Sequence, residues 1–171
     1  TTYDTPAGSL WMETTYLNAD PPTKTRKLIK NLDEDFPKLK YMFPPVMGYD
    51  SSLLEEQRQE LGEMGALGIS LWYPGFHTFI DWFDGGLEPV VWAYNDNHAM
   101  IKEFAGYVES DVLRKAEMAI DARPDFILVG ASGTLTLGSL DLFREFGLAT
   151  LKKITSMARE SGIPTMLHSC G

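Results

Sequence analysis

The chain has 171 residues, with 15 Lys plus Arg against 24 Asp plus Glu, a formal net charge of −9 and 44% hydrophobic residues. That is the composition of a folded polypeptide with room for one core, and it excludes disorder and collagen-like repetition. The surplus of carboxylates is repelled by a phosphate backbone or an anionic lipid surface, so neither nucleic acid nor a membrane is expected as partner.

A single cysteine, at position 170, makes no intrachain disulfide, and a reducing compartment is the default. No apolar run approaches the roughly 20 residues of a membrane helix and no signal-peptide pattern opens the chain, so a cytoplasmic location is expected. The sequence starts without Met and stops at His168-Ser169-Cys170-Gly171, just past an expected strand. Both ends therefore read as cuts in a longer protein, and residues 1–171 as the central part of one domain.

Prolines at 6, 21, 22, 37, 44 and 45 break any long pattern in the first fifty residues. Residues 9–17, SLWMETTYL, suit a strand, and the charged stretch from Lys24 to Asp35 suits a short helix. Tyr41 to Val46 is apolar but carries two prolines, which argue against a strand. From Asp50 the signals sharpen: Ser52 with Glu55 three residues later matches a capping box and predicts a helix to about Met64.

Gly65 to Tyr73 places Leu67, Ile69 and Leu71 at period two, as a strand does, before Pro74-Gly75 stops it. A short aromatic helix is expected over Phe76 to Phe83, then a loop from Gly85-Gly86. A long helix begins near Asp96 or Asn97, with Ile101, Phe104, Ala105, Val108, Val112, Ala116 and Ile120 along one buried stripe. Phe126 to Val129 is a continuous apolar run that suits a parallel strand covered on both faces. Ser139 caps the next helix, whose inward positions are Phe143, Phe146, Leu151, Ile154 and Ala158, and Thr165 to Ser169 is the last strand. Strand alternating with helix predicts an α/β fold with βαβ crossovers and a parallel sheet.

The residues with most chemical potential come last. Met166, His168 and Cys170 share one side of the final strand, so an imidazole and a thiol stand together at its carboxyl end. Such a pair suits zinc, which needs at least one further protein ligand. The alternative is a small buried thiol beside a histidine satisfied by a backbone carbonyl. Trp72, Tyr73 and His77 follow the Leu67–Leu71 strand and are candidates to line a substrate pocket, the alternative being aromatic packing under a loop. Ser132, in the glycine-rich loop after the apolar strand, is a fourth candidate for an anionic or carbonyl group, although no Gly-Lys-Ser/Thr makes that loop a phosphate cradle. His98 is expected on a solvated helix face without a role.

The run DFILVGASGTLTLGSLDLFREFGLATLKKITSMARESGIPTMLHSCG, with the earlier YDTPAGSL and GISLWYPG, resembles the uroporphyrinogen decarboxylase superfamily over nearly the whole chain. The resemblance implies a partial (β/α)8 TIM barrel, since such a barrel is about twice this length or somewhat longer. It also implies one of two chemistries. Decarboxylases proper remove acetate carboxyl groups from a tetrapyrrole, in porphyrin biosynthesis, without metal or organic cofactor. The other branch uses zinc to move a methyl group between a corrinoid protein and a thiol or a methylated small substrate, with His-x-Cys on a barrel strand and a later Cys as zinc ligands. His168 and Cys170 match the first two ligands, which favours the methyltransferase branch. The implied cofactor is zinc, with a methylcorrinoid as partner-borne cosubstrate. The remaining possibility is a corrinoid- or metal-binding module without catalysis.

Overall fold

The computed structural model describes residues 1–131 and 137–169. Its first elements are two antiparallel pairs: β1 (Thr2–Thr5) with β2 (Gly8–Trp11), and β3 (Glu13–Thr15) with β4 (Thr23–Arg26). The stretch 9–17 is thus two strands serving different partners, broken at Met12, rather than one. The expected helix over 24–35 is also corrected, because β4 occupies its start and helix α1 (Leu32–Leu39) begins later.

The late start of α1 has a local cause. The Asn31 side chain accepts from the N–H groups of Asp33 and Glu34 at 3.1 and 3.4 Å, filling two of the donors a helix start leaves open. Asp35, nearly buried, accepts from the N–H of Lys30 at 2.9 Å and of Asn31 at 3.1 Å, and from the Lys38 ammonium at 2.9 Å. Burial alone would raise the Asp35 pKa, but these hydrogen bonds together hold it below the usual carboxylate value. A 3₁₀ turn over Lys40–Met42 follows, and no strand forms over 41–46.

Helix α2 (Ser52–Leu61) starts one residue earlier than a Ser52 cap would place it, with Ser51 at the N-cap, and ends three residues short of Met64, at Gly62 with φ +52°. Asp50 accepts from the Ser52 N–H at 2.9 Å, while the Ser51 hydroxyl, not Ser52, engages Glu55 at 3.0 Å. Strand β5 (Gly68–Leu71) leads to the one-turn helix α3 (Phe76–Phe79), shorter than expected. Helix α4 (Leu87–Asp96) occupies what the sequence suggested was loop. Its Pro89 sits in the first turn, where the missing N–H has no intrahelical partner to lose. Helix α5 (His98–Asp121), strand β6 (Phe126–Ala131), helix α6 (Leu140–Leu142), a π-helical turn over Phe143–Gly147, helix α7 (Leu148–Glu160) and strand β7 (Thr165–Ser169) complete the order. The Ser139 hydroxyl caps α6 as expected, accepting from the Leu142 N–H at 3.2 Å.

Two cores meet along α5. Its first half carries Ile101, Phe104, Ala105 and Val108 into an aromatic cluster with Phe36, Phe76, Phe79, Phe83 and Phe146. Its second half carries Val112, Ala116 and Ala119 onto the sheet, beside Leu151, Ile154 and Ala158 of α7. Ala119 rather than Ile120 is the innermost residue of the last turn.

The sheet is parallel, in the order β5-β6-β7, so the α/β class with strands joined through helices is observed. Leu71, Ile127 and Val129 point to the helices and are buried. The opposite face is different: Ser70 is exposed, Phe126 and Leu128 are half-buried and Met166 is 55% exposed. The expectation that β6 is covered on both faces is therefore corrected, because α5 and α7 share one side and, among the described residues, none of the helices packs on the other.

Candidate functional site at the carboxyl ends of the strands

The strand register defines which side chains can cooperate. Leu128 pairs with Met166 and Gly130 with His168, and residues opposite one another in a sheet project from the same face. Leu71 pairs with Val129, so the next position, Trp72, continues the row that contains Gly130 and His168. Trp72 is 47% exposed and His168 is also exposed. Two strand spacings separate them, roughly 10 Å, and Gly130 adds no side chain between them.

Gly130 is required there for another reason. Its φ is +121°, and a Cβ would meet the His168 carbonyl oxygen at 2.2 Å. The glycine lets β6 bend where the chain leaves the sheet while keeping β7 close. Trp72, Gly130 and His168 thus form the carboxyl-end rim of the open face.

Tyr73 and His77 lie elsewhere. Adjacent residues of an extended segment face opposite ways, so Tyr73 enters the helix-covered core at 1% exposure while Trp72 faces out. The Tyr73 ring meets the His77 ring edge-on at 4.8 Å and the Phe143 ring at 6.2 Å. It also fills the place of the absent Gly147 side chain, whose Cβ would come within 2.6 Å of it. His77 is 5% exposed. Burial lowers its pKa, and its ring hydrogen bond to the Tyr73 carbonyl offsets this only in part. The structure therefore brings Trp72 and His168 to one face and groups Tyr73 with His77 on the other. Ser132, Cys170 and Gly171 lie outside the described residues.

Of the two residues matched to zinc, His168 is among the described residues. Its imidazole is a suitable donor, exposed at a strand end where an ion has access, so the residue fits. Among the described residues no group of three His, Cys, Asp or Glu side chains is gathered as a metal cluster.

One cluster was not legible in the sequence. His98 Nε2 lies 2.6 Å from Glu145 Oε1, the Tyr94 hydroxyl donates to Glu145 Oε2 at 3.0 Å, and Lys102 approaches the same carboxylate at 4.0 Å. Burial first and the neighbouring Glu145 second raise the Tyr94 pKa. The cluster ties the α4–α5 junction to the π-helical turn across 47 residues of sequence, a separation that no local pattern reveals. Its His98 and Glu145 side chains are 45% and 23% exposed, and a surface pair of this kind contributes about 0–1 kcal/mol.

No helix among the described residues is long and apolar enough to cross a membrane. No family model, no curated protein and no solved structure matches this chain.

Proposed function

We propose that the chain is the central part of a closed (β/α)8 barrel of the uroporphyrinogen decarboxylase superfamily, from the branch that uses zinc to transfer a methyl group between a corrinoid protein and a thiol or methylated small substrate. The observation that supports the barrel is the winding of the sheet, while zinc and methyl transfer rest on the sequence resemblance and its match at His168 and Cys170. Three parallel strands lie in sequential order with α5 and α7 on one side only. A doubly wound sheet would carry helices on both faces, whereas a barrel keeps them outside and turns the other face inward. The face that carries Ser70, Leu128 and Met166 then corresponds to the barrel interior, and the Trp72 and His168 rim to the end where barrels place their chemistry.

In this reading His168 and Cys170 hold the zinc together with a further protein ligand. Zinc, when bound, keeps a thiol ionised at neutral pH or polarises the heteroatom that carries the methyl group. The chain's own residues supply the setting. His168 presents an imidazole donor on the open face, Trp72 offers an apolar wall across from it, and the packed helices behind the sheet hold both strand ends in place.

Metal analysis of the full-length protein tests the proposal. About one zinc per chain is expected, lost in Cys170→Ser and in His168→Ala with the fold retained by circular dichroism. Carefully purified protein without zinc would overturn it. Formation of coproporphyrinogen from uroporphyrinogen, insensitive to chelators, would assign the chain to the decarboxylases instead.

A further inference from the structure

Beneath the rim, on the covered side of the sheet, one polar atom is left without a partner. His77 Nε2 is buried and, among the described residues, has no hydrogen-bond partner. The ring's bond to the Tyr73 carbonyl therefore falls to Nδ1. A carbonyl only accepts, so Nδ1 carries the proton and Nε2 presents a bare lone pair. Leaving such an acceptor empty inside a protein is unfavourable, and native structures rarely do so without a water or ligand in place.

The surroundings are shaped to hold this ring. A side chain at Gly75 would stand 2.7 Å from His77 Cε1, so glycine is what admits the imidazole. Against the ring lies a cavity of about 10 Å³, bordered by Tyr73, Gly75, Gly138, Leu142 and Phe143. That volume corresponds to about one water. The cavity connects the corner after β5 with the start of α6 and the π-helical turn, and π-helical turns often accompany functional sites.

The chemistry of the occupant follows from what lines the space. An anion would face the lone pair of Nε2, and none of the residues bordering the cavity supplies a carboxylate for a cation. Metal ligation by Nε2 would need companions, and among the described residues no group of three His, Cys, Asp or Glu is gathered. What remains is a neutral O–H or N–H donor of water size.

We propose that His77 Nε2 is the acceptor of a buried single-water site, which links the corner after β5 to the helix start after β6. None of the zinc or methyl-transfer residues takes part, so the site stands or falls independently of that function. A substrate group reaching the cavity would have to bring its own O–H or N–H to replace the water without loss.

Nuclear magnetic resonance of ligand-free protein carrying ¹⁵N-histidine tests this. The expected result is a neutral His77 ring protonated at Nδ1, with Nε2 shifted as a hydrogen-bonded acceptor and water cross-relaxation to its ring protons. A ring protonated at Nε2, or the expected tautomer without water contact, overturns the proposal. His77→Phe keeps an aromatic ring beside Tyr73 and removes the acceptor. Loss of the water contact at the neighbouring Phe143 ring protons is expected in that variant, and its persistence there also overturns the proposal. Should the variant fail to fold, the wild-type spectra decide the question alone.

Discussion

On the helix-covered face of the sheet, Ile127 and Val129 are fully buried between α5 and α7, whereas on the opposite face Leu128 is half-buried and Met166 is 55% exposed. All four residues are apolar and sit on directly paired strands. Apolar content alone therefore says that a strand wants burial; on β6 the position of the crossover helices decides which face receives it, while on β7, at the edge of the described sheet, Leu167 on the covered side is as exposed as Met166, at 55%. A parallel sheet is stable chiefly when both faces are covered, so the open face marks where this architecture expects more structure. The covered face supplies stability, and the open face and its rim are where a ligand can approach.

The sharpest test of that contrast is a truncation on β6. Ile127→Ala empties a fully buried position and should cost about 2–5 kcal/mol. Equilibrium urea unfolding would measure it as a lowered midpoint with an unchanged slope. A cost under about 1 kcal/mol would show that the covered face is not the tightly packed one.

Gly130→Ala comes next. The new side chain adopts a positive φ and collides with the His168 carbonyl, so strain of about 1–3 kcal/mol is expected. Much of it should appear as loosening of β7, read as faster amide exchange at Leu167 and His168, whose paired positions on β6 are Val129 and Gly130. Unchanged exchange there would mean that the rim does not depend on close β6–β7 contact.

How far these features were legible from the sequence depended on the range of the interaction responsible. The long stripe from Ile101 to Ala116 and the Ser139 cap are set by neighbours three or four residues away, and both were readable. β7 was readable as well, from Pro164 and the short apolar run after it. Helix α4 was missed because Gly85-Gly86 and Pro89 look like loop, although proline in a first turn costs a helix nothing. The split of residues 9–17 into β2 and β3 depends on partners elsewhere in the chain, and no local pattern encodes it. At the site, alternation along a strand correctly set Met166 and His168 on one side. The grouping of Trp72 with Tyr73 and His77 ignored the same rule, which sends Trp72 and Tyr73 to opposite faces.

The covered face also contains a titrating group, His77, and this gives a pH test. Burial lowers its pKa from the usual 6.5 in the folded protein. Below 6.5 the unfolded ring takes up a proton that the folded ring still refuses. The neutral histidine's contribution is therefore fully present above 6.5 and is lost as pH falls toward the lowered folded value. Comparison of wild type with His77→Phe at pH about 7.5 and about 5.5 should show a shallower decline in the variant. Parallel declines would place the acid sensitivity in the carboxylates.

The smallest effect is expected on the open face, and its size depends on what covers that face. In the 171-residue chain, Leu128→Ser trims a half-buried side chain beside Met166 and should change stability by less than about 1 kcal/mol. If further strands close the ring, Leu128 points into a filled barrel interior, and the same substitution in the full-length protein should cost about 2–5 kcal/mol, as for a core position. Surface residues give the same answer in both contexts, so the difference between the two measurements isolates the closure. A cost that stays small in the full-length protein would leave the Leu128 and Met166 face open to solvent, and the barrel would have to be abandoned even though the covered face, with Ile127 at its centre, remained intact.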